Sequence, residues 1–205
     1  MKTIDLLVFR LFVMSMICII IIFAGCEKDP ELNTDPNAAV PENYTSASPE
    51  NTQLLTVSSD NLTEEEIASL IFMVEEEKLA RDVYLEMHNL YGLEIFYNIY
   101  QSEIQHVNAV SRLIEKYELT NPNDNNLPGE FDNEELQQLY DDLINQGSIS
   151  VKEAIAVGVI IEETDLEDIQ YYLDNVAIRK DIVSVYENLL AGSENHLAAF
   201  LLHQK

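Results

Sequence analysis

From residue 62 to the end of the chain, apolar residues recur at steps of three and four, and four long segments carry that period. Leu70, Val74, Tyr84 and Leu85 share a stripe in the first segment; Phe96, Ile99, Val107, Val110, Leu113 and Tyr117 share one in the second. The third aligns Ile155, Val159, Leu166, Ile169 and Leu173, and the fourth Ile182, Val185, Leu189 and Phe200. No segment alternates apolar and polar residues for the length of a useful strand; "AVGVIIEE" comes nearest and sits inside a helical phase. Start signals fall where the periods begin. Thr63 and Glu66 form a T-x-x-E capping box with Leu62 and Ile67 as its staple, and the device recurs at Asp132/Glu135, beside Phe131 and Leu136, and at Ser150/Glu153. The spacing predicts helices over about 64–90 (stopped by Gly92), 94–118, 133–145 (stopped by Gly147), 151–173 and 178–203. Four long one-faced helices bury their stripes by facing one another, so the expected fold is all-α. It is a four-helix bundle with a short extra helix in the long connection between helices two and three.

The same stripes carry polar residues at mid-length. Glu77 lies between Val74 and Tyr84, whereas Glu75 and Glu76 are expected to point away from that stripe's centre. Glu103 and His106 sit in the middle of the second stripe, Glu162 in the third with Asp165 at its edge, and Ser193 and His196 in the fourth. A buried, unpaired carboxylate costs several kcal/mol, and several aimed at one volume repel one another unless a cation neutralises them. Carboxylate oxygen with imidazole nitrogen suits iron or manganese, two ions or one, and no thiol is at hand. Each element has a plainer reading: Glu-x-x-His as a surface pair, Glu77 bridged to Lys78 or Arg81, an inward His as a satisfied core residue. Their coincidence in depth across four helices favours the metal.

These residues also carry a resemblance. "EKLARDVY" (Glu77, Ala80, Arg81, Tyr84) resembles the first-helix pattern E-x-x-A-R-x-x-Y of rubrerythrin-type proteins of the ferritin-like superfamily, and "SEIQH" resembles their second-helix E-x-x-H. With "IEETDLEDI" and "YENLLAGSENHL", the stretch from Leu62 to Leu202 is similar to an uncharacterised bacterial branch of that superfamily, a domain of unknown function. The resemblance implies a di-iron or di-manganese centre in which two helices give one Glu each and two give Glu-x-x-His. Carried across, Glu77, Glu103, His106, Glu162 and His196 are the metal ligands. The departure is Ser193, where the pattern has a bridging Glu; Glu163, Asp165 and Glu194 are the nearest acids, none in ideal phase.

Composition adds a setting. Thirty-seven acidic residues against eleven basic ones give a net charge of −26. Such a surface repels phosphate backbones, which excludes nucleic acid as the expected partner, and it attracts cations or simply keeps the chain soluble. Residues 1–25 read as a secretory signal: Lys2 and Arg10, an apolar run from Leu11 to Phe23, then "FAGC", which resembles a lipobox with Cys26 as the lipidated residue. Phe23 departs from the aliphatic residue usual there, so a transmembrane anchor stays open. Residues 26–58, with Pro30, Pro36, Pro41 and Pro49 and no apolar period, read as a tether, and about 32 residues of coil span roughly 30 Å. Residues 59–205 form the bundle domain. The expected location is a bacterial membrane, by the lipid anchor, with the domain facing the periplasm or exterior. The expected partners are metal ions and that membrane, with a homodimer as a further option.

Remaining polar residues read plainly. His88 and His203 lie near helix ends in solvent; Tyr84 and Tyr100 are core, with Tyr100 a candidate donor to Glu103; Gly192 allows a close approach or kinks its helix. No Ser–His–Asp set, Gly-rich phosphate loop or basic patch points to a hydrolase or a nucleotide-binding protein. Two functions remain: a tethered ferritin-like metal protein with ferroxidase or peroxidase-type activity, or a non-catalytic bundle lipoprotein with one structural metal or none.

Overall fold

Thr63 opens the first helix as its capping box predicts: its Oγ1 accepts from Glu66 N at 3.0 Å, and its own N–H donates to Glu66 Oε2 at 3.1 Å. In the computed structural model, which describes residues 62–204, that helix is α1, Glu64–Tyr91. It ends at Gly92, whose φ of 65° is the left-handed cap that glycine adopts without a Cβ clash. A two-residue turn leads into α2, Glu94–Lys116. After a 3₁₀ turn at Pro122–Asp124 come α3, Glu134–Gly147, α4, Val151–Asn175, and α5, Lys180–His203. α1 packs on α2 and α4 on α5; α2 against α5 and α1 against α4 close the bundle, and α3 lies over α1 and α4. The fold is therefore the expected all-α bundle with its short helix in the second connection. The leader, Cys26 and the tether lie outside the described residues. Among those described, no helix is long and apolar enough to cross a membrane.

Two expectations about this connection are corrected. The third helix does not begin with an Asp132/Glu135 box; its cap is Asn133, whose Oδ1 accepts from Glu135 N and Leu136 N at 2.9 and 3.2 Å. The reason lies on another helix. Glu75 Oε1 accepts from Asp132 N at 2.7 Å and Asn133 N at 3.1 Å, so the Asp132 N–H that Glu135 would take in such a box is already used. Glu75 points away from the centre of the α1 stripe, as expected, and is buried because the chain from Pro122 to Asn133 crosses that side of α1; Glu76 is buried beneath α3, beside Asp165. The Ser150 cap holds, with Oγ accepting from Glu153 N at 3.2 Å, but the Glu153 carboxylate accepts from Gln146 Nε2 instead of closing a box.

The apolar core is divided into two. One cluster joins Leu79, Val83, Met87, Phe96, Ile99, Ile155 and Phe200 at the end of the bundle where α1 finishes; the other joins Leu70, Val74, Val110, Leu113, Ile169, Ile182 and Leu189 towards the opposite end. Between them, at mid-height on all four long helices, lies a buried polar layer: Glu77, Glu103, His106, Glu162, Asp165, Ser193 and His196.

Candidate metal centre

Helical spacing explains how the layer forms. On α2, three residues turn the helix about 300°, so Glu103 and His106 project to the same side one turn apart. α1 adds Glu77, α4 adds Glu162 and α5 adds His196. Ligand atoms of Glu77, Glu103 and His106 all lie within 4.8 Å of one another, and so do those of Glu103, Glu162 and His196. Glu103 belongs to both groups. Its Oε2 is 2.8 Å from His106 Nδ1 and its Oε1 is 2.8 Å from His196 Nδ1. His106 Nδ1 also lies 3.1 Å from Glu77 Oε2, and His196 Nδ1 3.5 Å from Glu162 Oε2. The two imidazoles stack with centroids 5.4 Å apart.

Each Nδ1 therefore faces two carboxylates from different helices, although a single N–H satisfies one acceptor well. The short distances mostly lack hydrogen-bond directions. Among the described residues, Glu77 Oε1, both oxygens of Glu103, Glu162 Oε2 and His196 Nδ1 have no hydrogen-bond partner. Buried polar atoms are nearly always paired, so this many orphans converging from four helices fit a cation. Oxygen and imidazole nitrogen without sulfur is the donor set for iron or manganese.

Protonation tells the same story. Burial pushes the Glu77 carboxyl up to about 8 against the opposing contact from His106, and burial likewise raises Glu162 to about 7. Burial would also raise Glu103, but its short contacts with both imidazoles outweigh that and hold it at about 2. Burial alone would lower the two histidines; facing carboxylates instead lift His106 to about 11 and His196 to about 9. Without a cation the centre keeps protons in its place.

Neighbouring residues hold the ligands. Tyr84 Oη donates to Glu162 Oε1 at 2.6 Å, and its ring packs against those of Phe96 and Phe200, which also touch each other. The expected tyrosine donor is thus corrected: neither oxygen of Glu103 receives a bond from Tyr100, and Tyr84 serves Glu162 instead. The hydroxyl acts across helices, which no spacing within one helix reveals. Gly192 makes a close approach: a Cβ there would stand 2.5 Å from His106 Nε2 and 2.6 Å from Cε1. The α5 backbone thereby covers the outer edge of the ring and leaves Nδ1 towards the carboxylates. Ser193 is fully buried and its Oγ has no partner among the described residues.

The other candidate acids divide. Glu163 and Glu194 are exposed and cannot replace the missing carboxylate. Asp165 is buried in the layer but belongs to neither group of ligand atoms; with Glu76 it borders a cavity of about 20 Å³ beneath α3. Burial, then the charges of Glu76, Glu77, Glu162 and Glu103, raise its carboxyl well above the usual range. Lys78 and Arg81 do not pair with Glu77, since both bind Asp82 at 2.7 Å.

Comparison with known proteins gives a family and a solved relative. A family model described as an uncharacterized protein domain (DUF2202) matches residues 66–204. Uncharacterized protein MJ0754 of Methanocaldococcus jannaschii is 45% identical over 140 residues, 68% of this chain and 75% of that protein. The crystal structure of the hypothetical protein MJ0754 from Methanococcus jannaschii superposes with a TM-score of 0.69 at 42% identity, covering 73% of this chain and 85% of that one. An all-α bundle with two buried Glu/Glu/His clusters suggests, at the level of a superfamily, a ferritin-like metal-binding fold.

Proposed function

The chain belongs to the DUF2202 family of uncharacterized protein domains, and we propose that it is a ferritin-like protein that holds two adjacent iron or manganese ions in its polar layer. The observation that carries this reading is the convergence of orphaned donors from four helices on two groups that share Glu103. Glu77 and His106 would hold one ion, Glu162 and His196 the other, and Glu103, with one oxygen towards each imidazole, would bridge them. Such a pair supplies two-electron redox chemistry, of which ferrous-iron oxidation and peroxide reduction are the relevant kinds.

The chain's own residues fill the supporting roles. Tyr84 orients Glu162 and leaves its second oxygen towards His196. The raised carboxyls of Glu77 and Glu162 and the raised imidazoles release protons as cations bind. The apolar clusters close the layer towards both ends of the bundle, while the two imidazoles keep slight exposure at its side. The leader and the lipobox-like "FAGC" support a tethered location outside the cytoplasm, with Cys26 as the anchor.

One observation favours a second reading. Ser193, in place of a fourth-helix carboxylate, weakens a bridging set and suits a non-catalytic bundle with one structural metal or none. Metal content by plasma mass spectrometry separates the two, using the full chain from iron- and manganese-supplemented cells beside a Glu103→Ala/His106→Ala variant. About two ions per chain, lost in the variant, is the outcome expected of the ferritin-like arrangement. A ratio near one supports the structural reading, and no metal in a folded wild-type protein removes the enzymatic one.

A further inference from the structure

Next to the polar layer, α1 and α4 share a further acidic position. Glu76 directly precedes Glu77 on α1, and Asp165 stands one turn beyond Glu162 on α4. Both line a cavity of about 20 Å³ whose remaining wall is leucine and isoleucine except for Thr164. α3 covers it with Leu139 and Leu143. Asp165 is 2% exposed, and its Oδ2 has no hydrogen-bond partner among the described residues. Neither Glu/Glu/His group includes either acid, so the position is separate from the centre.

A cavity of that size admits one water or one small ion, since about 10–15 Å³ suffices for a water. The charges around it favour the ion. Asp165 faces the negative charges of Glu76, Glu77, Glu162 and Glu103; a water would supply a donor and leave that repulsion standing, whereas a cation answers both. Thr164 Oγ1 spends its hydrogen on Ile160 O at 2.9 Å, so its lone pairs are left for a cation. The donors are oxygen alone, which suits manganese, and without the imidazoles of the centre they hold it less tightly. Ile160 is exposed and Thr164 partly so, which brings this wall to the surface, and the exposed Glu163 and Glu167 on the same stretch of α4 draw cations towards it. We propose that Asp165, Glu76 and Thr164 form a second, weaker site for a divalent cation beneath α3, from which the ion passes to the centre. This inference rests on the reading of the polar layer as a metal centre. A weak site ahead of a tighter one is the order that loading requires, because an ion held too firmly outside would not move on.

The test titrates the full, metal-free chain with manganese(II), counting the free ion by its electron paramagnetic resonance. Wild type should show a tight class and one further, weaker ion. Asp165→Asn, equal in size and without the charge, should lose the weaker ion, keep the tight class and fill it about 10-fold more slowly at low manganese. Thr164→Val keeps the wall and removes only the hydroxyl; it should weaken the further ion about 10-fold, as for one lost polar contact to a charge. Glu163→Gln, which removes only an exposed charge, should slow filling less than Asp165→Asn. The inference is overturned if wild type takes no ion beyond the tight class, if Asp165→Asn fills as fast as wild type, or if Glu163→Gln slows it equally. Loss of the tight class in Asp165→Asn also overturns it, by making Asp165 a ligand of the centre itself. If Asp165→Asn fails to fold, Thr164→Val decides. A wild type that binds no manganese brings down the metal reading as well, a result distinct from a tight class without the weaker ion.

Discussion

α1 buries charged residues on two opposite sides, and the protein treats them differently. On the outer side, Lys78 Nζ donates to Asp82 Oδ2, Leu127 O and Glu130 O at 2.7, 3.0 and 2.9 Å and lies 4.1 Å from the centre of the Phe131 ring. Asp82 also accepts from Gly129 N and Arg81 Nε, and Glu75 accepts from two backbone N–H groups. Three donations saturate an ammonium, so this cluster is complete in itself. On the inner side Glu77 and its partners are as deeply buried, yet leave orphaned oxygens on three carboxylates. Burial does not separate the two clusters; satisfied valence does, because the outer one contains its own cation in Lys78. The outer cluster pins the long connection to α1, and the inner one has donors left for a cation.

Several perturbations would break that contrast if it is wrong. The largest effect is expected on the outer side. Lys78→Ala leaves Asp82 with Arg81 as its one cation and takes the donor from two carbonyls; it should cost about 3 kcal/mol in urea unfolding, while the metal-to-protein ratio of the folded fraction stays that of wild type. A loss of metal without a loss of stability would reverse the roles of the two clusters.

Chelation acts on the inner side alone. Removing metal held at a hundred times its dissociation constant should lower stability by about 2.7 kcal/mol, read as a drop in melting temperature. That drop should grow with pH. Glu77 and Glu162 have folded values raised to about 8 and 7, so their contribution to the metal-free protein is present below about 4.5 and lost as pH rises through 7 and 8. His106 and His196, raised to about 11 and 9, contribute fully below about 6.5 and lose that contribution as pH rises through 9 and 11. Glu103, held at about 2, acts oppositely, its contribution being lost only as pH falls below about 4.5. Metal-free protein should therefore weaken between pH 5 and 9 while affinity for manganese rises. A gap between loaded and stripped melting temperatures that ignores pH would sink the proton-for-metal exchange.

A smaller effect is expected at Gly192. An added methyl 2.5 Å from His106 Nε2 must displace the imidazole, and Gly192→Ala should weaken metal binding about 10-fold in a competition titration. Helical content should be unchanged, since alanine suits a helix better than glycine. The smallest belongs to the cap of α3: Asn133→Ala should cost about 1 kcal/mol and leave metal affinity alone. If that substitution altered the affinity, α3 and the centre would be coupled through Glu75 in a way the geometry does not suggest.

Much of this protein was legible along the chain. The four apolar stripes, the Thr63 and Ser150 caps and Gly92 all act within a few residues, where helical period and capping chemistry are local, so the helices and their bundle follow from spacing. The same periodicity aims Glu77, Glu103, His106, Glu162 and His196 at one level, because equal phase on facing helices brings side chains to a common depth. What spacing does not carry is the covering of a helix by a segment that has no period of its own. The chain from Pro122 to Asn133 wraps α1, which is why Glu75 is buried and why no box forms at Asp132. The choice of Tyr84 over Tyr100 and the exposure of Glu163 likewise depend on which helix faces which. Sequence determined the helices and the residues at their inner level; only the tertiary structure decided which buried charges are closed by other parts of the chain, since a hydrogen bond between segments depends on their packing and not on either segment's period.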